Sequence, residues 1–255
     1  QTLYALITNK NLVTVTSTQA LLEKTVSPQI LKENVLSLNV GQEIDYDLLL
    51  KKLLKLGFKR VPLVEELSNF SVRGGIIDFF PHTSENPIRI EFFGNQIESI
   101  REFSVLYQRS LNKKEEVLIL PQREIIFEDS KNSDKVTHIL EKSLPEQNSS
   151  EWLATFFKND QVSLLNYFSP QTILFLAEPE LIFEQIEKHS QQIQQALETK
   201  VLELDLIAEN NFAHDQEALK QKIQSFPTIE NRNMSSAVDF NFQQYEIGSF
   251  HSNLE

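Results

Sequence analysis

The chain has 255 residues, 24 basic against 36 acidic side chains, a formal charge of −12 and no cysteine. That balance argues against sequence-independent nucleic-acid binding, which needs clustered lysine and arginine, and the missing cysteine excludes disulfides, thiolate metal sites and cysteine nucleophiles. No apolar run approaches the ~20 residues of a membrane span, and the opening QTLYALITNK lacks a basic segment followed by an apolar core, so a soluble protein is expected, and the missing cysteine fits a cytoplasmic one. The single methionine is Met234, so the chain is expected to be an excerpt of something longer.

Charge is unevenly spread. Residues 1–50 carry 3 basic and 5 acidic side chains, residues 51–128 carry 12 and 11, and residues 129–255 carry 9 and 20. The near-neutral middle and acidic end predict a domain boundary near residue 129.

In chain order, the β-branched run Leu12 to Val15 predicts a strand, and TQALLEK with Leu21 and Leu22 predicts a helix. With only about forty residues before the next element, this reads as the end of a larger α/β domain. Tyr46 to Leu56 is the clearest helix: Asp45 suits an N-cap and Gly57 a left-handed C-terminal cap. Leu49, Leu50, Leu53, Leu54 and Leu56 form its apolar face, opposite Lys51, Lys52 and Lys55.

From Phe58 to Phe127 the pattern changes to short strands. Ile88, Ile90 and Phe92 alternate with Arg89, Glu91 and Phe93, and Gly94-Asn95 then predicts a two-residue hairpin turn before QIESI. VLILP at Val117 to Pro121 and EIIF at Glu124 to Phe127 add strands. Beyond Asp129, helices are expected at Val136 to Leu144, Trp152 to Phe157, Pro179 to Glu198 and Gln216 to Ile223. TILFLA at Thr172 to Ala177 reads as a buried strand feeding a helix, which is α/β grammar, and a last strand is expected at Val238 to Phe242.

FSVRGGIIDFFP places Gly74-Gly75 behind Arg73 and between two apolar runs. A phosphate cradle needs glycines at a helix start with Lys and Ser or Thr following; here a strand-like IIDFFP follows and no such pair is present. An RNA-binding Arg-Gly-Gly box works by repetition, whereas this one is single, so a glycine bend within a sheet is expected. His82, His138, His189, His214 and His251 lack metal-ligand spacing, so no metal site is expected. Asp78 and Glu91 lack an accompanying nucleophile and suit pairing with Arg89 or Arg73 better than acid–base work, so no catalytic residue is assigned. Arg60 and Arg73 each lie close behind an aromatic, with Phe79 and Phe80 near by. Pattern alone leaves two readings: an arginine–aromatic protein interface, or core aromatics with solvated arginines.

GFKRVPLV at Gly57 to Val64, FSVRGGIIDFFP at Phe70 to Pro81, PIRIEFFGNQIESIREF at Pro87 to Phe103, QRS at Gln108 to Ser110 and ILP before Glu124 together resemble one known segment. It is the insertion domain shared by the excision-repair subunit UvrB and the bacterial transcription-repair coupling factors. The flanks VTVTSTQALLEK and SLLNYFSPQTILFLAEPELI continue the resemblance more weakly, and the Gly-Gly, the Gln-Arg-Ser and the Walker-free flanks lean toward the coupling factors. The alternative is a fragment of a UvrB-type excision-repair subunit that contacts damaged DNA.

The fold this implies is α/β: a degenerate helicase-like, UvrB-like module interrupted by a small α+β insertion domain with an antiparallel or mixed sheet. Residues 1–45 would end the first part of the module, 46–128 would be the insertion, and 129–255 the second part. The resemblance implies UvrA as partner of the insertion domain, with Arg60, Arg73 and Phe80 as the binding residues. It further implies RNA polymerase and double-stranded DNA as partners of other parts of the parent, whose ATP-driven translocase uses ATP and magnesium. No cofactor and no enzymatic activity are expected of this fragment itself. Two departures from the family pattern stand out: Ser71 replaces a second arginine found in UvrB, and Ser68-Asn69 replaces Gly-Glu, which predicts a looser turn there.

Overall fold

A computed structural model describes residues 1–9, 11–122, 161–204 and 216–232. The first helix, α1 (Thr2–Thr8), is followed by α2 (Thr18–Leu22), whose N-cap Ser17 accepts from the Ala20 N–H. Then come β1 (Thr25–Val26), α3 (Pro28–Glu33) and β2 (Leu36–Asn39). The strand expected at Leu12 to Val15 does not form: Val13 and Val15 are 93% and 94% exposed, because no neighbouring strand pairs with them among the described residues. Propensity without a partner leaves a β-branched run as open chain.

Helix α4 (Tyr46–Lys55) forms where expected, with the Asp45 side chain accepting from the Leu48 N–H at 2.7 Å and Gly57 left-handed at φ 92° beyond its end. Leu49, Leu53 and Leu56 are buried, but Leu54 is 53% exposed. One residue on from Leu53 turns ~100° around the helix, which carries Leu54 off the apolar stripe.

Six strands follow as one sheet: β3 (Lys59–Arg60), β4 (Asn69–Arg73), β5 (Ile76–Phe79), β6 (Ile88–Phe93), β7 (Gln96–Phe103) and β8 (Ser110–Lys114), hydrogen-bonded in that order. Only β3 with β4 is parallel, so the sheet is mixed. The Gly94-Asn95 hairpin joins β6 to β7 with Phe93 opposite Gln96 and Gly94 at φ 61°. Strand β9 (Glu116–Ile119) pairs antiparallel with β2, Leu36 opposite Ile119. Leu38, Val117 and Ile119 of that ribbon and Leu49 and Leu53 of α4 share one core with Phe70, Ile77, Phe79, Ile90 and Ile100 of the sheet. The packed unit therefore takes in β2, ahead of Tyr46.

The chain then returns to its own beginning. Strand β10 (Gln161–Val162) pairs antiparallel with β1, the Tyr167 hydroxyl of a 3₁₀ turn (Leu164–Tyr167) donates to the Val26 carbonyl at 2.6 Å, and the buried Ser163 hydroxyl donates to the Leu21 carbonyl. Strand β11 (Leu174–Ala177) leads into α5 (Pro179–Leu204), then α6 (Gln216–Gln224) and β12 (Thr228–Asn231), which lies parallel to β11. Leu21 and Leu22 of α2 share a second core with Leu165, Ile186, Leu219, Ile223 and Phe226. One packed unit is thus built from both ends of the described chain, with the sheet unit set between them. The strand feeding a helix expected around TILFLA is present, and β12 adds a strand not expected from the sequence, but the first strand is not buried: Ile173 and Phe175 are 62% and 66% exposed. Among the described residues β11 has one partner strand, so one flank stays open.

No described helix is long and apolar enough to cross a membrane. The elements expected at Glu124 to Phe127, Val136 to Leu144, Trp152 to Phe157 and Val238 to Phe242 lie outside the described residues, as do His138, His214 and His251.

Candidate functional site

Gly74 and Gly75 are the two loop residues of the β4–β5 hairpin, closed by Arg73 opposite Ile76. Gly74 is left-handed at φ 59°, and a Cβ on Gly75 would stand 2.9 Å from the Phe92 carbonyl oxygen. The first glycine makes the turn and the second lets β6 approach, with the Phe92 N–H donating to the Gly75 carbonyl at 2.8 Å. A strand follows, not a helix, so these glycines bend a sheet as expected. Helix α4 holds the turn from one side: the Tyr46 hydroxyl donates to the Gly74 carbonyl at 2.8 Å, and its ring meets Phe92 edge-on at 5.2 Å.

Strand alternation and register sort the sheet's faces. Phe70, Ile77, Phe79 and Ile90 point to the core under α4, so Ser71, Arg73, Asp78, Arg89, Glu91 and Arg101 take the opposite face. Asp78 is the hub there, its side chain 1% exposed. Arg89 grips it with two bonds, Nε to Oδ1 at 2.7 Å and Nη2 to Oδ2 at 2.9 Å, and Arg73 adds Nη2 to Oδ2 at 2.7 Å. Donating to the Asp78 carboxylate raises the Arg89 pKa, against the burial that lowers it. Arg89 also lies over the Phe103 ring, 4.7 Å from its centroid. Beside this group, Glu91 accepts from the Ser99 hydroxyl at 2.7 Å and pairs with Arg101 at 3.3 Å. Asp78 and Glu91 are thus committed to arginines.

Arg73 remains half-exposed, its side chain at 49%. Phe80 follows Phe79 and so turns to the Arg73 face; it is half-buried, its N–H donating to the Asn69 carbonyl and its carbonyl accepting from Ser68. Arg60 stands opposite Phe70 on the edge strand β3 and therefore points to the α4 side, exposed and without an ion pair among the described residues. Its charge acts on Tyr46, whose pKa is raised chiefly by burial while Arg60 works to lower it. The three residues singled out from sequence thus share neither one face nor one end of the sheet: Arg73 and Phe80 lie at opposite ends of the β4–β5 pair on one side, and Arg60 lies on the β3 edge on the other.

The turn at Ser68-Asn69 is not loose. Ser68 is left-handed at φ 64°, which accounts for a glycine in the family pattern. Its hydroxyl contacts His82 Nε2 at 3.1 Å and donates to Gln122 Oε1 at 3.2 Å, and the Ser68 N–H donates to the Phe80 carbonyl at 2.8 Å. Side-chain bonds unavailable to glycine hold the turn instead. The pairing of Asp78 with Arg73 and Arg89 is the one expected from the sequence, whereas Tyr46 does not announce itself there as part of the site, since only folding brings it to Gly74.

The junction of β11 and α5 is where a nucleotide loop would sit in an α/β module. It does not fit one: the residues there are Glu178, left-handed at φ 55°, Pro179 and Glu180, and Arg232 is already paired with Glu180 and Glu230. Carboxylates at a helix N-terminus compete with a phosphate for the same N–H groups. Among the described residues no group of His, Asp and Glu is placed to hold a metal ion.

Residues 36–125 match the family model described as the UvrB interaction domain. The chain is similar to the transcription-repair-coupling factor of Myxococcus xanthus, 38% identical over 115 residues, which is 45% of this chain and 10% of that protein. It is 29% identical to that of Bacillus subtilis (strain 168) over 240 residues, 82% of this chain and 20% of that protein. The Staphylococcus aureus (strain USA300) protein of the same name is 40% identical over 122 residues, covering 48% and 10% respectively. The resemblance read from GFKRVPLV through ILP is borne out. This chain spans a fifth or less of the length of these relatives.

Proposed function

Starting from a UvrB interaction domain in residues 36–125, we propose that this chain is a recruiting surface in transcription-coupled DNA repair that docks UvrA through Arg60, Arg73 and Phe80. One observation carries the reading: two arginines flank a single sheet edge with their charge left over, Arg60 without an ion pair among the described residues and Arg73 sharing its one carboxylate with Arg89. Guanidinium groups so placed suit carboxylates on a partner, and Phe80 offers apolar area on the Arg73 side.

In this reading the unit built from α2, β1 and residues 161–204 and 216–232 is a degenerate, helicase-like UvrB-like module into which the UvrA-binding unit is inserted. RNA polymerase, double-stranded DNA and the ATP and magnesium of a translocase belong to parts of the relatives that this chain does not span. The acidic β11–α5 junction supports a module that recruits rather than hydrolyses.

A binding titration with purified UvrA tests the assignment. Truncating a desolvated interface arginine costs about 2–4 kcal/mol, roughly thirty- to thousand-fold in affinity. An Arg60→Ala/Arg73→Ala chain that still unfolds cooperatively yet binds UvrA as tightly as the parent would sink the proposal.

A further inference from the structure

Taking Arg73 as a partner-contacting arginine, the geometry points to Asp78 as its positioning residue, locked by Arg89 so that the free edge of the Arg73 guanidinium is presented to a carboxylate on the partner. Arg89 engages both Asp78 oxygens, at 2.7 and 2.9 Å, and is itself pinned over Phe103. The carboxylate is therefore immobile before Arg73 reaches it. Arg73 meets it through Nη2 alone, at 2.7 Å, and its other N–H donors remain available on a side chain 49% exposed. Two guanidinium groups share one carboxylate, so the cluster keeps a net positive charge after folding. Arg73 is oriented without being neutralised.

Such preorganisation has a measurable share in affinity, because a partner does not then have to order a rotamer-rich side chain. The test measures UvrA affinity of the full 255-residue chain in a double-variant cycle of Asp78→Asn and Arg73→Ala. Asp78→Asn should weaken binding about three- to tenfold in the parent chain and less than about twofold when Arg73 is already alanine. Since Asp78→Asn leaves Arg89 buried without its anion, Asp78→Ala/Arg89→Leu serves as the second variant: it removes both charges together and should show the same loss with the fold retained. An equal loss in both Arg73 backgrounds marks Asp78 as merely structural and overturns its positioning role, as does full affinity in either Asp78 variant when Arg73→Ala is weak. Unchanged affinity in Arg73→Ala itself refutes the partner-contacting reading of Arg73, and the role of Asp78 falls with it.

Discussion

The Tyr46 hydroxyl donates to the Gly74 carbonyl at 2.8 Å, joining the first turn of α4 to the hairpin that carries Arg73. Phenylalanine at position 46 keeps the edge-on contact with Phe92 and loses only that bond. Tyr46→Phe should therefore lower stability by about 1 kcal/mol, read from the urea midpoint at constant slope. A change larger than about 2 kcal/mol would show that the hydroxyl holds more than the turn.

The two hairpin glycines should respond differently to alanine. Nothing lies within 4 Å of a Cβ on Gly74, so Gly74→Ala meets only the left-handed backbone, at about 1–2 kcal/mol, and asparagine there should recover part of it. Gly75→Ala drives a Cβ to 2.9 Å from the Phe92 carbonyl and should cost about 1–3 kcal/mol through displacement of β6, with no rescue by asparagine. Thermal unfolding of the four variants, alanine and asparagine at each glycine, separates conformational strain from collision.

Removing one partner of the Asp78 hub should be worse than removing both. Arg89→Ala leaves a carboxylate whose side chain is 1% exposed held only by the half-exposed Arg73, and should cost about 3–5 kcal/mol, including lost contact with Phe103. Asp78→Ala/Arg89→Leu should be clearly more stable than Arg89→Ala. Equal stabilities in chemical denaturation would mean that packing, not charge, dominates at this position.

Glu102 links stability to pH. The Lys114 ammonium, 3.0 Å away, is the main cause that holds its carboxyl below the usual value, assisted by Asn112 and Asn86. A folded-state pKa below the unfolded one means the contribution is complete above about 4.3, the ordinary glutamate value, and is lost as pH falls through the lower, folded value. The stability gap between the parent chain and Glu102→Gln should be constant near neutrality and shrink in that acid window. A gap independent of pH would show that the carboxylate charge is not what Lys114 stabilises.

Local signals in the sequence were legible because their physics is local. Asp45 and Gly57 bound α4, Gly94-Asn95 closes β6 onto β7, and Gly74-Gly75 bends a strand, each through backbone geometry settled within a few residues. Where an element's fate depends on distant chain, the local pattern does not determine it. Leu12 to Val15 has strand propensity and no partner, TILFLA is apolar yet open on one flank, and Leu54 counts toward a leucine-rich face while its angular position exposes it.

The candidate site divides along the same line. The sequence by itself determined that an arginine precedes a sheet bend, that another lies upstream of it, and that the segment bearing both resembles a UvrB interaction domain. Only the tertiary structure decided how they stand: parallel pairing of β3 with β4 puts Arg60 on the α4 side and Arg73 on the other, and register brings Asp78 and Arg89 together beneath Arg73. The reason is that alternation within a strand is a local property, whereas which strands pair, and in what register, is decided by burying Phe70, Ile77, Phe79 and Ile90 against a helix and a ribbon distant in sequence.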